Sequence, residues 1–254
     1  MNVLVLSQYF WPENFRINDL VKALLNRGLR VDIVTGQPNY PDGVIFKGYR
    51  ALGFGKQNWH GASLFRLPMV PRGTGSAIRL IANYLSFVLS GILLGPLALR
   101  RRKVDIIFVY AISPILQVIP GIVLKWLKGA ELVIWVQDLW PESLEATGFV
   151  RNRWLLALVR VLVRWIYAQA DLILVQSDAF IEPVAALADR EKICYYPNSA
   201  DDVFLSVPSP KSCPIEGLDT DFSVVFAGNL GTAQAIETIE FAMDCHIFPH
   251  RLIP

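Results

Sequence analysis

MNVLVLSQYFWPENFRINDLVKALLNRGLRVDIVTG (Met1–Gly36) decides the fold. Val3–Leu6 is a short, uncharged, β-branched run of the kind buried on both faces of a sheet. A helical pattern over about Arg16–Arg27 comes next and stops at Gly28. Arg30–Thr35 is the next strand, closed by Gly36. Strand, turn, helix, glycine and strand make the start of a βαβ unit. The same rhythm recurs at Asp105–Tyr110, Leu132–Val136, Asp171–Gln176 and Lys192–Tyr196. Helices between such strands predict an α/β fold with a Rossmann-like parallel sheet. No internal repeat stands out.

A second unit opens further along. DFSVVFAGNLGTAQAIETI (Asp221–Ile239) reads as a strand, a Gly228–Gly231 turn, a Thr232 cap and a helix start. Val207–Gly217 is rich in proline and small residues and reads as a linker. The expected division is therefore a domain over 1–202, a linker over 203–220, the first βα unit of a second domain over 221–240, and an aberrant tail over 241–254. One βα unit cannot bury its own core. The expectation is a docked appendage or a two-domain protein cut short.

Composition narrows the function classes. The 254 residues carry a formal charge of +2, which gives no argument for nucleic acid as a partner. Cys194, Cys213 and Cys245 have neither ligand nor disulfide spacing, and the N-terminus reads as a strand rather than a secretory leader. A reducing cytoplasm is the expected compartment. Hydrophobic residues make up 53%, an excess that needs a cause. Two segments carry it. Leu80–Leu99 holds no charge and runs into Arg100–Lys103, which meets the criterion for a membrane span. Asn83, Ser86 and Ser90 can instead form a polar stripe on an interfacial or buried helix, and Gly95-Pro96 should break the run. Strands on both sides must share one compartment, which favours surface docking. Arg151–Arg164 sets Arg153, Arg160 and Arg164 among Trp154, Leu155, Leu158 and Leu162. It suits an anionic membrane face or an ordinary core helix with snorkelling arginines.

Candidate chemistry lies in the loops after strands. Ser7–Phe15 lacks G-x-G-x-x-G, yet it joins a strand to a helix where α/β sheets bind ligands. Arg16 can reach a phosphate with two hydrogen bonds, and Glu13 can accept from a sugar hydroxyl. The plainer alternative is that Trp11-Pro12 fixes a turn and Glu13 complements the helix dipole. Asp138, directly after Leu132–Val136, can orient a hydroxyl or a base, or it can cap a turn. Asn198 follows Pro197 in a turn after the last strand. Asp201 and Asp202 are adjacent and point opposite ways on an extended segment. His60, His246 and His250 have no ligand spacing, Gly73-Thr74-Gly75 lacks the lysine of a P-loop, and no nucleophile triad is evident.

Taken in order, Met1–Gly43, WVQDLWPES (Trp135–Ser143), YYPNSAD (Tyr195–Asp201) and FAGNLGTAQAIETI (Phe226–Ile239) resemble the retaining family-4 glycosyltransferases. Within them the chain is similar to the bacterial O-antigen and colanic-acid subgroup, which includes an L-fucosamine transferase. The resemblance covers about Met1–Glu240. It implies a GT-B fold, in which an acceptor-side N-terminal domain and a donor-side C-terminal domain face across a cleft. It implies a nucleotide-diphosphate sugar as donor, no cofactor and no metal. It also implies a polyprenyl-diphosphate-linked saccharide acceptor and a place on the anionic inner-membrane surface. Carried over by position, Glu13 and Arg16 face the donor phosphates and acceptor, and Asp138 lies beside the reacting sugar. Asn198 stands at the interdomain turn, where many members have Asn-Gly and this chain has Asn198-Ser199. Asn229, Gly231 and Gln234 occupy the donor-phosphate region, where many members carry Arg and Lys. Family members continue into a Glu-x7-Glu motif, whereas Phe241–Pro254 follows no such pattern. The resemblance thus implies a truncated transferase. A non-catalytic module that docks on the membrane and binds acceptor or partner, and an inactive gene remnant, are the competing readings.

Overall fold

The computed structural model describes residues 1–200, apart from Gly75, Thr147, Phe149 and Arg151, and also Thr238. Two compact units divide the chain: Met1–Ser143 with Asn152–Ser199, and Leu144–Arg151 with Ala200–Pro254. The expected linker, second βα unit and tail lie outside the described residues, Thr238 aside. The first unit carries the sheet.

Alternation of side chains gives β1 (Asn2–Ser7) two apolar faces. Val3 and Val5 pack with Ile17 and Val21 of α1 (Arg16–Asn26), while Leu4 and Leu6 are buried on the other side. β2 (Arg30–Thr35) then lies parallel to β1 in the register Asn2 to Arg30 through Ser7 to Thr35. β3 (Gly55–Trp59) and β4 (Ala62–Arg66) form a hairpin, and β4 pairs parallel to β2. After α2 (Ala77–Ala98) the chain crosses to β5 (Ile106–Ala111), on the other side of β1. From there α3 (Ile119–Lys128), β6 (Glu131–Val136), α4 (Glu142–Ala146), α5 (Arg153–Gln169), β7 (Leu172–Val175), α6 (Ile181–Ala185) and β8 (Ile193–Tyr195) continue outward. The eight-stranded sheet has the order β3-β4-β2-β1-β5-β6-β7-β8, and only β3 runs antiparallel to its neighbour. This is the Rossmann-like α/β sheet that the alternation predicts. Right-handed crossovers put α1 on one face and α2, α3 and α5 on the other.

The β3–β4 hairpin has no counterpart among the predicted strands. GKQNW is exposed except for Trp59, so it lacks the apolar run that marks a buried strand. Its turn is His60-Gly61, both at positive φ, where Asn-Gly would be the usual signal.

Helix α2 corrects one expectation and meets another. Pro96 lies inside its last turn, and the helix runs on to Ala98. A proline near the end removes only one backbone bond, so the run is not broken there. The polar stripe faces the domain: Asn83 and Ser90 are buried, and Ser86 Oγ accepts from Val70 N at 2.9 Å. Two glycines allow the approach. A Cβ on Gly91 would meet Pro120 Cγ at 2.7 Å, and one on Gly95 would sit 3.6 Å from Leu124. Gly91→Ala should therefore push α2 from α3 and cost about 1–3 kcal/mol, read as a lower urea midpoint at unchanged slope. Gly95→Ala, with room for the methyl, should be neutral or slightly stabilising.

Candidate functional site

The strand order reverses between β1 and β5, and ligands of open α/β sheets bind beyond the carboxyl ends at such a point. Here amide side chains tie the loops together. Gln117, buried beyond β5, accepts from Gln8 N at 3.0 Å and donates to Ile112 O at 2.7 Å. Gln8 Nε2 donates to Asn83 Oδ1 at 2.7 Å, and Asn83 Nδ2 donates to Val70 O at 2.6 Å. Asn83 thus anchors α2 to the loop after β1. Gln8 Oε1 is buried and takes no hydrogen bond from the described residues.

Glu13 is 2% exposed and clamps its own loop to the loop after β2. One oxygen accepts from Asn39 N at 2.8 Å and Tyr40 N at 2.7 Å, and the other accepts from Phe10 N at 3.2 Å. Burial pushes its pKa from 4.5 up to about 6, against those three N–H groups and the nearby Arg66 charge. Arg66 is itself buried and donates to Gly36 O, Trp11 O and Gln57 Oε1. The loops after β1, β2 and β4 therefore hold one another in place. Glu13, expected to receive a sugar hydroxyl, spends its oxygens on backbone instead. Arg16 opens α1, whose preceding Phe15 supplies no side-chain cap, and lies 3.5 Å from Asp19. Burial pushes the Tyr110 hydroxyl up to about 12, and the charge of Arg16 opposes that rise. Arg16 and the end of β5 thus share one electrostatic environment.

Asp138 stands two residues past the end of β6 and accepts from Ser143 Oγ. Its charge acts on two tyrosines of the helix layer. Burial raises the Tyr84 pKa, Arg72 lowers it, and Asp138 raises it further. Tyr167 is raised by burial first, then by Glu142 and Asp138. Arg72 also hydrogen-bonds the buried Tyr9 hydroxyl, and its backbone N–H donates to Asn39 Oδ1 at 2.9 Å. Asn198 Nδ2 donates to Gln137 Oε1 at 2.9 Å and to Gln176 Oε1, and Gln176 Nε2 donates to Gln137 O at 2.8 Å. This amide trio ties the ends of β6 and β7 to the segment after β8. Gln137 Nε2 is buried without an acceptor among the described residues.

The fold thus brings Glu13, Arg16, Asp138 and Asn198 to one edge of one sheet. Asn229, Gly231 and Gln234 lie outside the described residues. Sequence reasoning missed Gln8, Tyr9, Arg72, Asn83, Tyr84 and Gln117. No local motif marks them as a site, although Asn83 stands in the polar stripe of α2 and Gln8 and Tyr9 within the Ser7–Phe15 loop. Chemically, the edge offers cations from Arg16 and Arg72, a carboxylate from Asp138, and amides that can both donate and accept. Among the described residues no three His, Cys, Asp or Glu side chains gather as metal ligands. A hollow between Met1, Arg102, Asp105 and Glu131 lies at the opposite, amino edge of the sheet.

Comparison with known proteins supplies a family. Residues 14–199 match the glycosyl transferase 4-like domain. No curated protein matches the chain significantly. Among solved structures, Anabaena Alr3699/HepE in complex with UDP and glucose is 17% identical. The match covers 79% of this chain and 45% of that one, at a TM-score of 0.46. The E. coli trehalose-6-phosphate structure bound with UDP-2-fluoro glucose is 13% identical, with 83% and 52% covered and a TM-score of 0.49. CalG4, the calicheamicin glycosyltransferase, is 16% identical, with 78% and 52% covered and a TM-score of 0.45. The chain spans about half the length of the solved structures it matches.

Proposed function

Because this chain belongs to the glycosyl transferase 4-like domain family, we propose that its Rossmann-like unit is the acceptor-side domain of a GT-B glycosyltransferase. Joined to a donor-binding domain, it transfers a sugar from a nucleotide-diphosphate sugar to a polyprenyl-diphosphate-linked saccharide, with retention and without a metal. The O-antigen and exopolysaccharide resemblance makes a 6-deoxy amino sugar such as L-fucosamine the first donor to try. The observation that carries the reading is the placement of Arg16, Arg72, Asp138 and the Gln137–Gln176–Asn198 amides in the loops along the carboxyl edge of the sheet. Retention needs charge stabilisation of the leaving diphosphate and a polar group on the same face as an oxocarbenium-like centre. Cations and a carboxylate at one edge support that division of labour. Asn229, Gly231 and Gln234 belong to the donor-phosphate side of this proposal.

The described domain alone, residues 1–199, is expected to bind a lipid-linked saccharide and to turn over no nucleotide sugar. A chimera joining it to the donor-binding domain of a family relative should release nucleoside diphosphate only when acceptor is present, with or without a chelator. Acceptor-independent release, or no transfer to any lipid-linked saccharide by a folded chimera, would sink the reading.

A further inference from the structure

Helix α2 turns most of its large side chains outward. It buries Phe87 and Val88, but the rest of its inward face is small or polar: Asn83, Ser90, Gly91 and Gly95. Its large aliphatics face outward: Ile78, Ile81, Leu85, Leu89, Leu93 and Leu97 are all exposed, Ile78 at 80% and Leu93 at 71%. Steps of three or four residues place them on one continuous stripe along the helix. The layer continues beside it. Trp126 is exposed on α3, which packs on α2, and Trp154, Leu155, Leu158 and Val161 are exposed on α5, Trp154 at 86%. α3 is tied to the end of α5 by Lys125, which donates to Gln169 O at 2.8 Å. A contiguous apolar surface of this kind marks an interaction site.

Charge is segregated on the same layer. No Asp or Glu occurs on α2, α3 or α5, nor anywhere between Asp42 and Asp105. Exposed cations flank the stripe: Arg100, Arg101 and Lys103 follow α2, while Arg153 and Arg164 stand on α5. Arg160 is partly engaged by Glu142 at 3.7 Å. A second copy of this chain fits poorly, because a twofold contact would face these cations with cations and supply no acid. A bilayer with anionic headgroups fits both features at once.

We infer that the α2–α3–α5 layer is a membrane-docking face that lies in the plane of an anionic lipid surface. The stripe enters the acyl boundary, Trp126 and Trp154 sit at headgroup level, and the flanking arginines meet lipid phosphates. α2 has the length and composition of a span. It lies flat instead, because Asn83 on its buried face bonds Gln8 and Val70 within the domain. Docking depends on this surface alone, so it stands or falls separately from transferase activity.

Cosedimentation of the full chain with phosphatidylcholine vesicles, with and without phosphatidylglycerol, tests it. Binding should require phosphatidylglycerol, weaken with salt, and be released by alkaline carbonate. Leu89→Glu/Leu93→Glu, on exposed positions, should weaken binding roughly tenfold or more. Arg100→Ser/Arg101→Ser should do the same through charge alone, and each variant should keep the parent's thermal midpoint. Equal binding to both vesicle types would overturn the inference, as would variants that bind like the parent. Resistance to carbonate would overturn the flat placement. Self-association that these variants abolish, without vesicle binding, would assign the face to a second copy.

Discussion

Glu13→Ala is expected to destabilise the first domain by about 3–5 kcal/mol. The cost comes from the groups the carboxylate leaves behind. Phe10 N, Asn39 N and Tyr40 N all donate to it in a buried site, and alanine accepts from none of them. Each buried donor left unsatisfied costs about 1–3 kcal/mol, and water entering the gap recovers part of the sum. Arg66 would also lose a nearby countercharge, although its three hydrogen bonds to Gly36, Trp11 and Gln57 remain. Urea unfolding should show the loss as a lower midpoint at unchanged slope. A change below about 1 kcal/mol would mean that the loops after β1 and β2 are held by something else.

The same residue gives a pH dependence of defined sign. Its folded pKa is raised, from 4.5 to about 6, because burial disfavours the charged form. Between these values the folded state holds more proton than the unfolded state, so stability falls as pH rises through the window. Below it both states are protonated and the penalty is absent. Above it both are ionised and the full penalty, about 2 kcal/mol, persists. Glu13→Gln should remove this slope. It should also cost stability at every pH, because one amide face turns a donor toward a backbone N–H. A wild-type slope between pH 4.5 and 6 that survives in Glu13→Gln would assign the titration to another group.

Much of the sheet is legible in the sequence because buried parallel strands are written as uncharged β-branched runs. DIIFVY and LVIWV need no context, and β5 and β6 fall on them. GKQNW is illegible because an edge strand with one buried residue carries no such signature. α2 is half legible. Its helical length shows in Leu80–Leu99, but the direction it faces depends on packing against Pro120 and Leu124, which no local pattern encodes. The site divides the same way. Loop positions place Glu13, Arg16, Asp138 and Asn198 at the carboxyl edge. The network that fixes the edge joins Gln8 to Asn83 and Gln117, residues 75 and 109 apart in sequence. Such pairings follow from topology, and only the strand order reveals them. Glu13 shows the limit: its position in the loop is readable, whereas its engagement with Asn39 and Tyr40 depends on where the next loop lands.

Asp138→Ala, in a chimera that carries a donor-binding domain, is expected to lower turnover by roughly 10²–10⁴-fold. Asp138 follows β6 at the edge where the proposed acceptor binds, held by the Ser143 hydroxyl, and its charge acts on the Tyr84 and Tyr167 hydroxyls. A carboxylate so placed can orient an acceptor hydroxyl or stabilise positive charge on the sugar. Its structural share is small, because one partly buried hydroxyl partner contributes about 1 kcal/mol. Asp138→Asn separates charge from anchoring. The amide oxygen still accepts from Ser143, so a purely structural role predicts recovery of turnover. A role for the charge predicts that Asn is nearly as slow as Ala, with kcat falling and KM little changed. His60→Ala is the control. His60 sits in the β3–β4 turn, away from this edge, and should stay within about twofold of the parent in kcat, because a surface change away from such features costs little. If Asp138→Ala and His60→Ala leave turnover equally intact, Asp138 caps a loop and the reacting sugar is held by other groups.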